Sequence, residues 1–186
     1  MKNKTVWANR LKGKTSVSFQ KIGSSIGVDK RLYDQDIAAS IVHAKMLVKQ
    51  KIISSKEGVK IINGLKKIKS QIDKGKFKFQ EKFEDIHLNI EQRLFELIGH
   101  SAGSLHTARS RNDQVVTDFK LWIKKSSNET IDNINSLMKI LIKKAEKNVN
   151  TVMPGLTHLK NAQPISFAHY LLSYFEMFKR DIKRFE

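Results

Sequence analysis

The polar side chains best suited to chemistry fall into four short stretches of the sequence. They are residues 24–29, 85–87, 104–114 and 157–164, and each lies at or near the predicted start of a helix. A helix start presents unpaired N–H groups and the positive end of the helix dipole. Such positions bind anions readily, so the four stretches predict contacts to an anionic ligand.

The third stretch, residues 104–114, is the densest of the four. It brings Arg109, Arg111, Asn112 and several hydroxyl side chains together just before a long predicted helix. A guanidinium group binds a carboxylate through two parallel hydrogen bonds, and amide and hydroxyl groups fix the orientation of a ligand. The stretch therefore predicts a pocket for a small molecule that carries several carboxylates.

Simpler roles remain open for the same side chains. Asn112 or Asp113 has the right chemistry to cap the long helix, and a capping side chain can also bind a ligand. Arg109 and Arg111 are equally compatible with surface ion pairs, which contribute little to stability. Asp85 is compatible with a charge that stabilises the start of a helix.

The histidines divide into candidates for chemistry and structural residues. His158 precedes a proline-marked helix start and is the best candidate for a general acid or base. His106 lies inside the densest polar stretch, whereas His43, His100 and His169 are predicted to be structural. No two histidines share a helix face at short spacing with carboxylates beside them, so no metal site is predicted.

The elements that must position these residues are helices. Ser54 and Glu57 form a predicted capping box, and Gly99 is a predicted C-cap. Three apolar stripes at helical spacing are Ile37, Ile41, Ala44 and Val48; Val59, Ile62, Leu65, Ile68 and Ile72; and Ile86, Ile90, Leu94 and Leu97.

The second half of the sequence predicts much longer helices. Residues 112–149 contain no Pro and no Gly and predict one helix of about 57 Å. A turn at 153–155 precedes a final helix with Pro164 in its first turn. No strand is predicted, and residues 1–28 are predicted to be irregular. We expect an all-α chain, with a small helical domain over 1–110 and the beginning of a long-helix bundle over 111–186.

Composition narrows the class of protein. The net charge is +17, and residues 1–80 hold 19 of the 35 Lys and Arg but only 5 of the 18 Asp and Glu. Most of this excess is Lys with few interleaved aromatic residues, which predicts a solvated surface and no nucleic-acid partner. The sequence has no Cys and no apolar run long enough to span a membrane, so we expect a cytoplasmic protein.

The polar stretches resemble segments of a known family. Residues 103–114 resemble the argininosuccinate lyase form of a segment shared across the fumarase/aspartase superfamily, and residues 153–159 with 162–164 resemble its second segment. Residues 24–47 and 84–94 resemble two regions nearer the N-terminus of the family. The likeness covers nearly the whole chain in order, so the chain resembles the N-terminal part of these lyases.

The resemblance implies a reaction and a set of site residues. Argininosuccinate is split by elimination into arginine and fumarate, a step of arginine biosynthesis, without a cofactor. A base removes a proton beside a carboxylate, and the guanidino nitrogen leaves. His158 matches the catalytic histidine, either as the base itself or as the partner of a serine on a mobile loop. The residues that match substrate-binding or pocket positions are Ser25, Asn112 and Thr157, with Asp29, Asp85, His87, Arg111 and Gln163.

The resemblance also implies an assembly: a homotetramer in which three subunits build each active site. The apolar pattern of the last helix runs to Glu186 without a cap, and the family's mobile loop is missing from the sequence. We therefore expect an N-terminal fragment that is inactive alone. Alternatives are a catalytically silent structural or interaction protein on the same fold, a sister lyase such as adenylosuccinate lyase, and a basic nucleic-acid-binding protein.

Overall fold

The computed structural model describes residues 16–186 and confirms the predicted helical fold, with one small sheet in addition. Short 3-10 helices span Lys30–Leu32, Glu81–Phe83 and Gly99–His106. The strands are β1 (Val152–Thr157) and β2 (Lys160–Ser166). The α-helices are α1 (Val17–Gly23), α2 (Ile26–Asp29), α3 (Tyr33–Lys49), α4 (Ser55–Asp73), α5 (Ile86–Ile98), α6 (Arg111–Glu146) and α7 (Phe167–Phe185).

The start of the described chain is more ordered than the sequence predicts. An irregular segment over 1–28 is wrong for Val17–Gly23, which form α1, and for Ile26–Asp29, which form α2. The Ser16 hydroxyl accepts a hydrogen bond from the Phe19 N–H at 3.2 Å and so caps α1. The part of that prediction that concerns residues 1–15 lies outside the described residues.

The chain divides into two compact units, residues 1–122 and 123–186, while the predicted domain boundary at residue 110 stays a prediction. In the first unit, α3, α4 and α5 pack around one apolar core, because each carries an apolar stripe. The buried residues of this core are Ile26, Leu32, Ile37, Ala44, Leu47, Ile53, Ile61, Leu65, Ile68, Ile86, Ile90, Leu94 and Leu105.

The buried face of α4 differs from the predicted stripe. Val59 is 58% exposed, whereas the face against the core includes Gly58 and Gly64. A side chain at Gly64 would bring its Cβ within 2.5 Å of Leu94, because α4 and α5 approach closely there. A pattern of large apolar residues does not reveal that glycine lies on the packed face.

The predicted helix ends agree well with the structure. Ser54 and Glu57 form the capping box of α4, with each side chain accepting from the backbone N–H of the other residue. Gly99 ends α5 with a φ of 69°, which lies in the left-handed region that glycine tolerates. The long helix is α6, which is continuous over 36 residues and ends three residues before the predicted limit.

The second unit contains a β-hairpin that the sequence did not predict. Pro164 lies in β2, where it pairs with Pro154 of β1, and not in the first turn of α7, whose N-cap is Ser166. Proline is tolerated here because both strands of a two-stranded sheet are edge strands. The prediction of a turn at 153–155 is therefore wrong, since these residues belong to β1.

The hairpin turn has an unusual backbone. His158 and Leu159 connect the strands, with φ values of 50° and 63°. Positive φ at both central residues is the signature of a two-residue type I′ turn, which normally contains Asn and Gly. His and Leu are not typical of such a turn, so the hairpin could not be predicted from the sequence.

A small apolar cluster holds the second unit together. Its buried residues are Ala145 of α6 with Ala168 and Leu171 of α7, and Leu141 and Phe167 pack against them. Within residues 16–186, none of the helices combines the length and the apolar character needed to cross a membrane.

Candidate active site

Polar side chains of the first unit gather at the N-terminus of α5. Asp85 caps this helix by accepting a hydrogen bond from the Leu88 N–H at 2.6 Å. Asp29 accepts from the Ile86 N–H at 3.2 Å with one carboxylate oxygen. Its other oxygen accepts a hydrogen bond from the Ser25 hydroxyl at 2.5 Å. Ser25, Asp29 and Asp85, which the resemblance names as site residues, therefore lie together.

Arg111 adds a positive charge to this group. Its Nη1 lies 3.1 Å from Glu91 Oε1, and its Nε lies 3.7 Å from Asp85 Oδ2. Nη1 also donates to Gln114 Oε1 at 2.8 Å. We name Ser25, Asp29, Asp85, Glu91 and Arg111 the surface cluster. It combines three carboxylates with one guanidinium, so it offers partners to both ends of a zwitterionic ligand.

The charge of Asp29 depends on its neighbours. Partial burial raises the pKa of this carboxyl above its ordinary value, and the negative charge of Asp85 adds to the increase. The Ser25 hydrogen bond and the positive charge of His87 oppose that increase. The state of Asp29 is thus coupled to a histidine beneath the surface.

The start of α6 completes the surroundings of Arg111. Asn112 is exposed, and its N–H donates to the Ser110 hydroxyl at 3.2 Å. Neither Asn112 nor Asp113 is therefore needed as the cap. Arg109 points elsewhere: its Nη1 donates to the Ser40 hydroxyl of α3 at 3.0 Å, and this bond holds the loop before α6.

Beneath the surface cluster lies a second polar group, which sequence reasoning largely missed. Nδ1 of His87 is 3.0 Å from Asp36 Oδ1 and 3.5 Å from Asp118 Oδ2. Gln114 Nε2 donates to the same oxygen of Asp36. We name Asp36, His87, Gln114 and Asp118 the buried cluster, since all four are at most 3% exposed.

Burial and charge set the protonation of this buried cluster. Burial alone would favour neutral groups, yet the hydrogen bond and charge of Asp36 raise the pKa of His87. The reciprocal contact with His87 lowers the pKa of Asp36 despite its burial. Burial and the nearby charge of Asp36 raise the pKa of Asp118 to about 8.

The buried cluster is also the place where a cation has to be considered. Asp36, His87 and Asp118 each offer one ligand atom, and these atoms lie within 4.8 Å of one another. The same atoms already form the contact between His87 and Asp36, and Gln114 occupies the second partner position on that oxygen. The geometry is therefore that of a hydrogen-bonded proton network.

Two further histidines of the first unit, His106 and His43, have surroundings of their own. His106 lies 3.5 Å from Glu91 Oε1 and borders a cavity of about 210 Å³. His43 Nε2 lies at hydrogen-bond distance, 2.9 Å, from the Thr107 carbonyl, which agrees with the structural role predicted for it. This contact and the bond between Arg109 and Ser40 anchor the loop before α6 to α3.

Three of the sequence-predicted site residues belong to the second unit. His158 is exposed at the tip of the hairpin, and Thr157 pairs with Lys160 beside it. Gln163 is exposed on β2, and its carbonyl lies where a Cβ on Gly155 would reach within 2.9 Å. Within the second unit, the hairpin brings Thr157, His158 and Gln163 onto one small sheet.

Sequence reasoning missed Asp36 and Asp118, although each leaves a signal in the sequence. Arg111, Gln114 and Asp118 are spaced three and four apart, so they share one face of α6. Asp36 stands next to Ile37 at the start of an apolar stripe. A carboxylate on the buried face of a helix signals a polar partner, but it does not identify that partner.

Comparison with known proteins links these positions to a family. The sequence profile of a family described as "Lyase" matches residues 9–186. The argininosuccinate lyase of Pelagibacter ubique (strain HTCC1062) is 56% identical over 183 residues, which are 98% of this chain and 40% of that protein. The argininosuccinate lyase of Ehrlichia canis (strain Jake) is 52% identical and covers 100% of this chain and 39% of that protein. The chain thus spans about 40% of the length of the curated relatives it matches.

The fold gives the same family relationship. An EDDS lyase variant with bound fumarate superposes with a TM-score of 0.73 at 25% identity, over 94% of this chain and 35% of that chain. The resemblance to argininosuccinate lyases and to the fumarase/aspartase superfamily is thereby confirmed. Since the profile match extends over nearly the whole sequence, the chain belongs to the lyase family.

Proposed function

We propose that this chain provides substrate-binding and catalytic residues of an enzyme that cleaves argininosuccinate to arginine and fumarate. The observation that carries the proposal is the 56% identity to an argininosuccinate lyase over 98% of the chain. The clustering of Ser25, Asp29, Asp85 and Arg111 supports it, because these residues lie far apart in sequence yet form one polar surface.

The elimination divides its tasks among these side chains. A proton leaves the carbon beside a carboxylate, and the electron pair of that C–H bond forms the double bond of fumarate. The C–N bond breaks, and its electron pair leaves with the guanidino nitrogen. Negative charge grows on the carboxylate in the transition state, so fixed donors beside it accelerate the reaction. Arg111, Asn112 and Thr157 are suited to this role. His158 moves the proton, either directly or through a second residue.

The surface cluster needs to exchange partners when the substrate binds. Arg111 is held by Glu91 and Gln114, so a substrate carboxylate would take over one of these contacts. Asp29 and Asp85 then face the cationic, arginine-derived end of the substrate. Ser25 and His87 support these charged residues in the first unit, and Gln163 is a pocket residue of the second unit in the same proposal.

The assembly and location follow the same proposal. We place the reaction in the cytoplasm, without a cofactor, in a homotetramer whose active sites are shared between subunits. Exposed apolar side chains on α6 support such contacts: Phe119 is 50% exposed and Ile140 is 61% exposed. Light scattering of the chimera described next would measure the number of subunits.

A chimeric enzyme tests the activity. Residues 1–186 replace the matched segment of the Pelagibacter ubique argininosuccinate lyase, and fumarate release is followed by ultraviolet absorbance. We expect turnover of argininosuccinate, and a loss of about 10²–10⁴-fold in His158→Asn. His169→Asn is the matched control, since His169 is exposed and is predicted to be structural.

The other candidate functions are outcomes of this experiment. A chimera that assembles and cleaves adenylosuccinate in preference to argininosuccinate identifies a sister lyase. A chimera that assembles yet cleaves neither substrate identifies a catalytically silent protein on the same fold. Either result contradicts the proposed activity.

A further inference from the structure

The buried cluster contains one carboxylate more than its hydrogen bonds require. Asp36, His87 and Asp118 come from α3, α5 and α6, and none of them is more than 1% exposed. Asp36 Oδ1 accepts hydrogen bonds from the His87 ring and from the Gln114 amide. Within residues 16–186, neither oxygen of Asp118 has a hydrogen-bond donor of its own, and the His87 ring is only as near as 3.5 Å.

Two charged carboxylates at one ring nitrogen are unfavourable where the side chains are buried. The single Nδ1 proton of His87 can form one good hydrogen bond to a carboxylate. Nδ1 lies closer to Asp36 (3.0 Å) than to Asp118 (3.5 Å), so this proton is donated to Asp36. An unpaired buried charge is costly, and a group in that position takes up a proton in preference to remaining charged. The other charges that face Asp118 are Asp36, His87 and Arg109.

Arg109 forms no hydrogen bond to Asp118 among the described residues, so it does not neutralise this carboxylate by a direct contact. It contributes a favourable charge, but its Nε and Nη2 have no hydrogen-bond partner among the described residues. Its Nη1 donates a hydrogen bond to the Ser40 hydroxyl. Asp118 is thus left between a carboxylate and an imidazole that already satisfy each other.

We propose that Asp118 is a positioning residue that stays a neutral carboxylic acid, so that Asp36 remains the single negative charge at Nδ1 of His87. The ring is then held as an imidazolium directly below the surface cluster. Its positive charge helps to keep Asp29 ionised as the acceptor of the Ser25 hydroxyl. The functional meaning of this arrangement rests on the proposed lyase activity, since His87 and Asp29 are proposed pocket residues.

Nuclear magnetic resonance of the 186-residue chain tests the proposal without any turnover. Selective ¹⁵N-histidine and ¹³C-aspartate labelling report the protonation of the His87 ring and of the Asp118 carboxyl during a pH titration. We expect the Asp118 carboxyl to remain protonated at pH 7 and the His87 ring to remain charged there. The carboxyl titration needs no substitution, so it stands even if a variant fails to fold.

Two isosteric variants provide the contrast. Asp118→Asn keeps the shape and neutrality of the proposed acid, so the His87 titration should stay nearly unchanged. Asp36→Asn removes the carboxylate that contacts the His87 ring at 3.0 Å and should lower the pKa of His87 by about one pH unit or more. An Asp118 carboxyl that is ionised at pH 7, or equal effects of the two variants on His87, would overturn the proposal.

The chimeric enzyme separates this proposal from the proposed function. If the chimera is active, Asp118→Asn should preserve the pH dependence of kcat/KM below pH 7, whereas Asp36→Asn should shift it. An inactive chimera with the expected titrations contradicts the lyase activity alone. An active chimera with an ionised Asp118 contradicts the neutral acid alone.

Discussion

The residue with the strongest electrostatic consequence is Asp118. Its pKa is raised to about 8 in the folded chain, against an ordinary value of 3.8. The folded state therefore binds one more proton than the unfolded state between these two values. Linkage then requires that the stabilisation from this proton is complete below about pH 4 and is lost as the pH rises toward 8.

We predict that Asp118→Asn gains stability relative to the unsubstituted chain as the pH rises from 5 to 8. The free energy of unfolding of the two chains should diverge by at most about 1.4 kcal/mol per pH unit. Denaturant unfolding followed by circular dichroism at four pH values measures this. His87 adds a slope of the same sign to both chains, because its pKa is also raised. Asp113→Asn, at an exposed position of α6, is the control that should leave the slope unchanged.

At this scale the sequence named the exposed candidate residues and the buried His87, but it missed the two buried carboxylates that face this histidine. Polar residues at helix starts can be recognised from the sequence alone, and this is how Arg111, Asp85 and Ser25 were identified as candidates. Asp36 and Asp118 could not be recognised in this way, because their partners come from three different helices. Only the packing of α3, α5 and α6 shows that these carboxylates meet one imidazole.

At the scale of elements, helices were predictable and the hairpin was not. Helix limits follow from local chemistry, such as the Ser54–Glu57 capping box, which the structure contains. The hairpin depends on pairing between β1 and β2 and on a turn whose residues do not favour positive φ. Proline is also common in the first turn of a helix. For this reason Pro164 was wrongly predicted to lie in the first turn of α7, whereas it lies in β2.

The strained turn leads to a prediction about Leu159. This residue has a φ of 63° and is 95% exposed, so its side chain gains almost nothing from packing. Leu159→Gly should stabilise the hairpin by up to about 1 kcal/mol, because glycine adopts this conformation without a steric cost. Slower amide hydrogen exchange in β1 and β2 would report the gain.

A matched substitution on the same hairpin checks the reason. Val152 is 73% exposed in β1 but has no positive φ. Val152→Gly should therefore speed exchange, since glycine weakens an ordinary strand position. If both glycine variants change exchange in the same direction, the strain at Leu159 is not the cause.

At the scale of the whole molecule, the outstanding property is the charge of +17. Lys66 and Lys67 illustrate its origin, since both are exposed on α4 opposite the buried Leu65 and Ile68. We predict that Lys66→Glu with Lys67→Glu lowers the net charge by four and changes the free energy of unfolding by less than about 1 kcal/mol. Thermal unfolding measures the change, and a larger loss would show that these lysines stabilise the fold.

The two faces of α4 have an evolutionary consequence. On the exposed face that carries Lys66 and Lys67, many substitutions are compatible with the fold. The charge of this face can therefore change during evolution as the salt concentration and pH of the surroundings change. On the opposite face, Gly58 and Gly64 leave no room for even one methyl group without a shift of Val48 or Leu94. We therefore expect the two faces of α4 to accept substitutions at different rates. In related sequences, Gly58 and Gly64 should be conserved, while the residues on the exposed face should vary in charge.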